Sequence, residues 1–213
     1  MSVSKRNNEE EFIKVASIQE LVGFSAEKLC DVCEIGQSVP VMFNEITRRY
    51  DFDIRGADLS HEQINGEQIN GVAMIANKSP ENTDAQYQAK LLYANQNTVS
   101  IPDQRFIIAH EIAHVVRNFN EMISPDGEGH QKIFYDGPER TLSPDQRAEE
   151  QQCNKFARAL LMPKSIFVYC YVLECSSTGV CGTSGVRKLA GLFLVPDVEV
   201  RRRIDELGLK VVE

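Results

Sequence analysis

The sequence predicts a mixed α and β protein, with helices at both ends of the chain and a small, mostly antiparallel sheet between them. Two observations carry that class. Helical apolar spacing with cap signals recurs near residues 17–33, 40–47, 102–118, 143–161 and 184–209, whereas short runs bounded by turn formers cluster between Phe52 and Asn95. A third observation sets the middle of the fold. The segment around His110-Glu111-Ile112-Ala113-His114 is apolar nearly all round, the mark of a buried helix.

Taken in order, residues 1 to about 12 read as a charged, frayed tail. Ser17-x-x-Glu20 is a capping box opening a short helical stretch to Leu21, and Ser25 caps another that carries Leu29, Val32 and Cys33. Pro40 suits the first position of a third helix, with Val41, Phe43, Ile46 and Thr47 in helical register. Phe52 and Ile54 then alternate, and 71–77 and 89–95 read as strands. The repeat of Ile64-Asn65-Gly66-Glu67 in Ile69-Asn70-Gly71 is a local, turn-forming duplication. The buried helix runs from about Pro102-Asp103 to Asn118. Residues 119–142, rich in Gly, Pro and Asp, form a long loop, which in a compact domain usually has a functional reason. Ser143, Pro144 and Gln146 supply the next helix with an N-cap, a first residue and a capping box, and it stops before Pro163. Ser184 to Leu209 reads as two short helices separated by Val195-Pro196. The expected division is a tail with short helices over 1–39, a central domain over 40–165 and a helical extension over 166–213.

A net charge of −8 disfavours an unaided grip on nucleic-acid phosphates. No apolar run reaches membrane-spanning length and Met1 to Glu11 hold no apolar signal core, so a cytoplasmic protein with six reduced cysteines is expected. Cys30-Asp31-Val32-Cys33 has the spacing of redox or zinc sites, and Cys170, Cys175 and Cys181 lie close in sequence. A second C-x-x-C is missing, which favours buried free thiols over a four-sulfur zinc site.

Only four histidines occur, and two stand in His110-Glu111-x-x-His114. Imidazoles four residues apart share one helix face and can reach one metal ion. Glu111 is rotated by about 100° from His110, beside the metal, where a carboxylate can take a proton from water. This is the zinc hydrolase pattern. A catalytic zinc (Zn2+) takes three protein ligands and leaves one position to water, and in one large class the third ligand is a Glu from a following helix. Glu149 and Glu150 both stand there. Glu150 shares a face with Cys153, Asn154 and Ala157, Glu149 with Cys153 and Phe156, and periodicity leaves both open.

Arg105-Phe106-Ile107-Ile108-Ala109-His110-Glu111-Ile112-Ala113-His114, followed by Glu150-Gln151-Gln152-Cys153-Asn154-Lys155-Phe156-Ala157-Arg158-Ala159-Leu160-Leu161-Met162-Pro163, resembles the ImmA/IrrE family of metallo-endopeptidases. The likeness runs on through Val186-Arg187-Lys188-Leu189-Ala190 to Leu209 and covers roughly residues 40 to 210. The resemblance implies a zincin-like α+β fold with a small sheet packed on helices and a helix-turn-helix-like extension. It implies His110, His114 and Glu150 as zinc ligands, Glu111 as general base, and Asn154 orienting a ligand histidine. It also implies a protein substrate, a cytosolic helix-turn-helix repressor whose cleavage switches on phage, mobile-element or stress genes. Three positions depart from the family pattern. Cys153 stands where Ala is usual, a change expected to matter little. Asn118 stands where a further His often follows, which removes a possible polar contact, and Leu194 replaces the Gly before Pro196.

His130 and Tyr135, in the loop after the metal helix, are the nearest candidates to stabilise an oxyanion, and His61 reads as a bystander. An edge strand, either 71–77 or 90–95, can pair with an extended substrate. Arg201, Arg202 and Arg203 share their helix with Glu199, Asp205 and Glu206, which favours a solvated or protein-docking face over DNA readout. The rival to an endopeptidase is a regulatory binding module that sequesters its partner without cutting it. An intact Glu111 favours the enzyme, because a pure binder needs no base there.

Overall fold

The computed structural model describes residues 16–59, 61, 63–64, 67–78, 86–94, 99–123, 142–175 and 181–210. The expected frayed tail, the Asn65-Gly66 turn and most of the long loop, His130 and Tyr135 included, lie outside the described residues. A 3-10 turn, Ile18–Leu21, precedes α1 (Ala26–Cys33) and α2 (Asn44–Arg49). Next come β1 (Phe52–Ala57), the short β2 (Gln63–Ile64) and β3 (Glu67–Gln68), β4 (Gly71–Asn77) and β5 (Tyr87–Ala94). Then follow α3 (Ile101–Asn118), a second 3-10 turn (Phe119–Glu121), α4 (Pro144–Leu161), α5 (Lys164–Cys175), α6 (Thr183–Phe193) and α7 (Asp197–Glu206). The class is α+β.

The three longer strands form one sheet in the order β1-β5-β4. Leu91 on the central strand faces Ile54 across a parallel pair and Ala73 across an antiparallel one. The sheet is therefore mixed. A parallel pair needs a long crossover, and the segment carrying β2 to β4 supplies it between β1 and β5. Alternation within strands says nothing about that pairing.

α3 lies between this sheet and α4. Ala73, Ile75, Ala89 and Leu91 from the strands share a core with Ile108, Ile112, Val115 and Val116 of α3 and with Leu160 and Leu161 of α4. Leu21 and Leu29 near the N-terminus and Phe193, Val200 and Ile204 near the C-terminus join the same core. Residues 107–116 are buried on every side, which explains why this part of α3 is apolar apart from His110, Glu111 and His114.

Local signals place most helix starts. Ser17 with Glu20 and Ser143 with Gln146 form both halves of a capping box, and Ser25 accepts from the backbone N–H of Lys28. Pro40 does not open α2, which begins at Asn44. Val41 is fully buried and its carbonyl accepts from Arg105 Nη2 at 2.6 Å, a tie to α3 that draws 40–43 out of the helix. Arg105 Nε also donates to the carbonyl of Leu194, at 3.2 Å. Leu194 has φ 50°, so the Gly-to-Leu departure falls on a left-handed residue, at a cost of about 1 kcal/mol. Helix α5 opens the helical extension expected from residue 166, in a stretch where the sequence reading places no individual helix.

The expectation of six reduced cysteines is corrected for one pair. Cys175, ending α5, and Cys181, ahead of α6, form a disulfide with Cα atoms 4.8 Å apart. Gly185 leaves room for it, since a Cβ there would lie 2.7 Å from Cys181 Sγ. Cys30, Cys33, Cys153 and Cys170 are buried free thiols. Burial pushes Cys30 up to about 12 and Cys33 up to about 11, so neither is an activated thiol at neutral pH.

Arg203 of the tail is buried, its Nε donating to the carbonyl of Met162, and Arg202 pairs with Glu199. No single described helix is long and apolar enough to cross a membrane. Helices α4 and α5 pass that test only as a pair bent by 69°, and the apolar side of α4 belongs to the core.

Candidate metal centre

The two longest helices pack against each other, and each begins at a firm cap: Ser100 with Pro102 for α3, Ser143 with Pro144 for α4. Their facing sides carry the polar residues of interest. His110, Glu111 and His114 are all buried. His110 Nε2 lies 2.9 Å from His114 Nε2 and 2.9 Å from Glu150 Oε2, and Glu150 Oε2 lies 3.5 Å from His114 Nε2. Three lone-pair-bearing atoms thus close a small triangle. Ligands about 2.0–2.1 Å from a tetrahedral ion stand about 3.3 Å apart, so the triangle fits one metal ion to within about 0.4 Å. Among the described residues no other three His, Cys, Asp or Glu side chains converge in this way.

The surroundings suit that use. Asn154 Oδ1 lies 2.9 Å from His110 Nδ1, where it can accept the ring proton and leave Nε2 bare. Burial pushes the Glu150 carboxyl up, but hydrogen bonds and charge from His110 and His114 overcome this and bring it down to about 2. It is ionised at neutral pH, as a ligand must be. Glu149, the alternative that spacing left open, turns elsewhere: its Oε1 is 3.8 Å from His114 Nδ1, the far side of that ring.

Glu111 leaves the triangle and faces the sheet. A Cβ at Gly71, the first residue of β4, would lie 2.9 Å from Glu111 Cδ and 2.8 Å from Ile107 Cγ2. Only glycine leaves that space to the carboxylate. Sequence reading missed this glycine, because nothing local links β4 to α3. It also undervalued two departures. Asn118 donates through Nδ2 to Glu149 Oε1 and lies 3.4 Å from His114 Nδ1, so it makes a polar contact where a loss was expected. Cys153 places Sγ 3.4 Å from the same nitrogen. Asn118 was legible in principle, standing one turn after His114 on the same face. His61 is exposed.

The model of the IrrE N-terminal-like domain, a peptidase family (Peptidase_M78), matches residues 67–204, well over half of the chain. The chain belongs to the ImmA/IrrE family. Its α+β architecture is that of a zincin-like domain of this family, with the sheet on one side of the motif helix and α4 on the other. A metallopeptidase family implies a metal ion, and among the described residues His110, His114 and Glu150 form a group that could hold one. No curated protein matches the sequence.

Proposed function

We propose that the protein is a zinc-dependent endopeptidase of the cytoplasm that cleaves a helix-turn-helix transcriptional repressor and so releases a phage, mobile-element or stress regulon. One observation carries the catalytic part: His110 Nε2, His114 Nε2 and Glu150 Oε2 converge on a single point beside the buried Glu111. The donor set, two imidazoles and one carboxylate, supports zinc as the metal. The substrate class rests on resemblance to the ImmA/IrrE family.

Zinc held by these three residues would act as a Lewis acid and lower the pKa of water to about 7. The chain's own residues do the rest. Glu111 accepts a proton from the attacking water and returns it to the nitrogen of the departing amine. Asn154 holds the His110 ring in the ligating tautomer. Gly71 leaves the Glu111 carboxylate room beside the sheet.

The test is to measure zinc in protein purified without chelator, then incubate it with a candidate repressor beside the chelated protein and the Glu111→Gln variant. About one zinc per chain, with repressor fragments only in the untreated sample, is the expected result. A repressor held tightly but left intact by the zinc-loaded protein would establish the binding-module reading instead.

A further inference from the structure

Glu149 has no place among the three ligands, yet it sits one residue from Glu150 on the helix that carries both. Its Oε1 accepts from Asn118 Nδ2, and Asn118 stands one turn beyond His114 on α3. We infer that Glu149, held by Asn118, is a positioning residue that fixes the His114 ring with its proton on Nδ1 and its Nε2 lone pair toward the metal. This rests on the metal site of the proposed function and adds a residue to it.

A neutral imidazole carries one proton, and His114 can ligate through Nε2 only if that proton is on Nδ1. The contacts of Nδ1 among the described residues include Cys153 Sγ at 3.4 Å, Asn118 Nδ2 at 3.4 Å and Glu149 Oε1 at 3.8 Å. An amide nitrogen donates and offers no acceptor lone pair, so Asn118 Nδ2 cannot receive the ring proton. The Cys153 sulfur is only a weak acceptor. Glu149 brings a carboxylate to that side of the ring. It favours the Nδ1–H tautomer and makes Nε2 a stronger ligand, as a carboxylate behind a ligating histidine does. The two rings are thus backed by different groups, His110 by the neutral amide oxygen of Asn154 and His114 by a carboxylate. Because the Glu149 side chain is 29% exposed, solvent screens part of the effect.

Zinc affinity should be measured by competition with a chromophoric chelator for full-length wild type, Glu149→Ala, Glu149→Gln and Asn118→Ala. The visible spectrum of each cobalt-loaded protein and the thermal unfolding of each metal-free protein accompany it. Glu149→Ala is expected to weaken zinc binding by about tenfold or more, with a changed cobalt spectrum and unchanged metal-free unfolding. Glu149→Gln keeps an acceptor oxygen and should lose less, and Asn118→Ala should fall between the two. Wild-type zinc affinity and cobalt spectrum in Glu149→Ala would overturn the inference alone. Should that variant fail to fold, the same two outcomes are read from Glu149→Gln. A wild-type chain that takes up no zinc overturns this inference and the proposed function together.

Discussion

Two buried polar clusters lie on α4, and they are built on opposite principles. At the end of the helix Arg158 pairs with Glu199 at 2.8 Å and with Glu206 at 2.7 Å, while Arg203 of α7 reaches Glu206 and the carbonyl of Met162. Two buried guanidinium groups meet two carboxylates, with the more exposed Arg202 also on Glu199, and the cluster supplies its own positive charge. Toward the start of the helix Glu150 meets His110 and His114, and the three present lone pairs to one point. That cluster holds no permanent cation of its own. Burial of charge is therefore a poor marker of function within this molecule. What separates the two is whether the acceptors come with their own positive charge or converge on the place where one would go.

The comparison can be tested at both ends. The largest effect is expected from Glu111→Gln, which should lower peptide cleavage by about 10²–10⁴-fold while zinc content stays at the wild-type level. Turnover in the variant near wild type would remove Glu111 from the mechanism and weaken the functional reading of its cluster. Arg158→Ala should act in the opposite sense. It leaves the buried Glu199 with the half-exposed Arg202 alone, so folding stability should fall by up to about 3–5 kcal/mol in urea titration while zinc per folded chain is unchanged. Loss of zinc from folded Arg158→Ala would show that the clusters are one unit.

Gly71→Ala sharpens the contrast within the metal cluster. Overpacking against Glu111 and Ile107 should cost about 1–3 kcal/mol, and turnover should drop more than zinc affinity, because the added carbon meets the base and not the ligands. Equal losses in both would mean that the whole site had shifted. The smallest effect belongs to an ion pair outside both clusters. Arg187 and Asp197 are 3.9 Å apart and well exposed, so Arg187→Ala should change stability by less than about 1 kcal/mol. A larger loss, read from the same titration, would mean that the tail is held at its surface as well as by Arg158.

Much of this was legible in advance, and the unevenness has a physical pattern. Ser17, Ser25 and Ser143 announced their helices because a cap is a contact between residues two or three apart. Pro40 misled because its helix signal, also local, lost to a bond from Arg105 on a distant helix. The disulfide between Cys175 and Cys181 depended on how α5 meets α6 and on a side chain missing at Gly185. Cys153 and Asn118 were read as departures from a family pattern, and only packing revealed that both touch the same ring nitrogen.

By itself the sequence determined the α+β class, the caps, and the shared face of His110 and His114, since helical geometry places residues four apart together whatever lies around them. Tertiary structure decided which glutamate meets that face. Glu149 and Glu150 differ by one residue, about 100° of helix, and only the packing of α4 on α3 turns one toward Nε2 and the other toward Nδ1. The parallel pairing of β1 with β5 and the close approach of Glu111 to Gly71 were decided in the same way. Each depends on residues far apart in the chain, whose meeting no local spacing encodes.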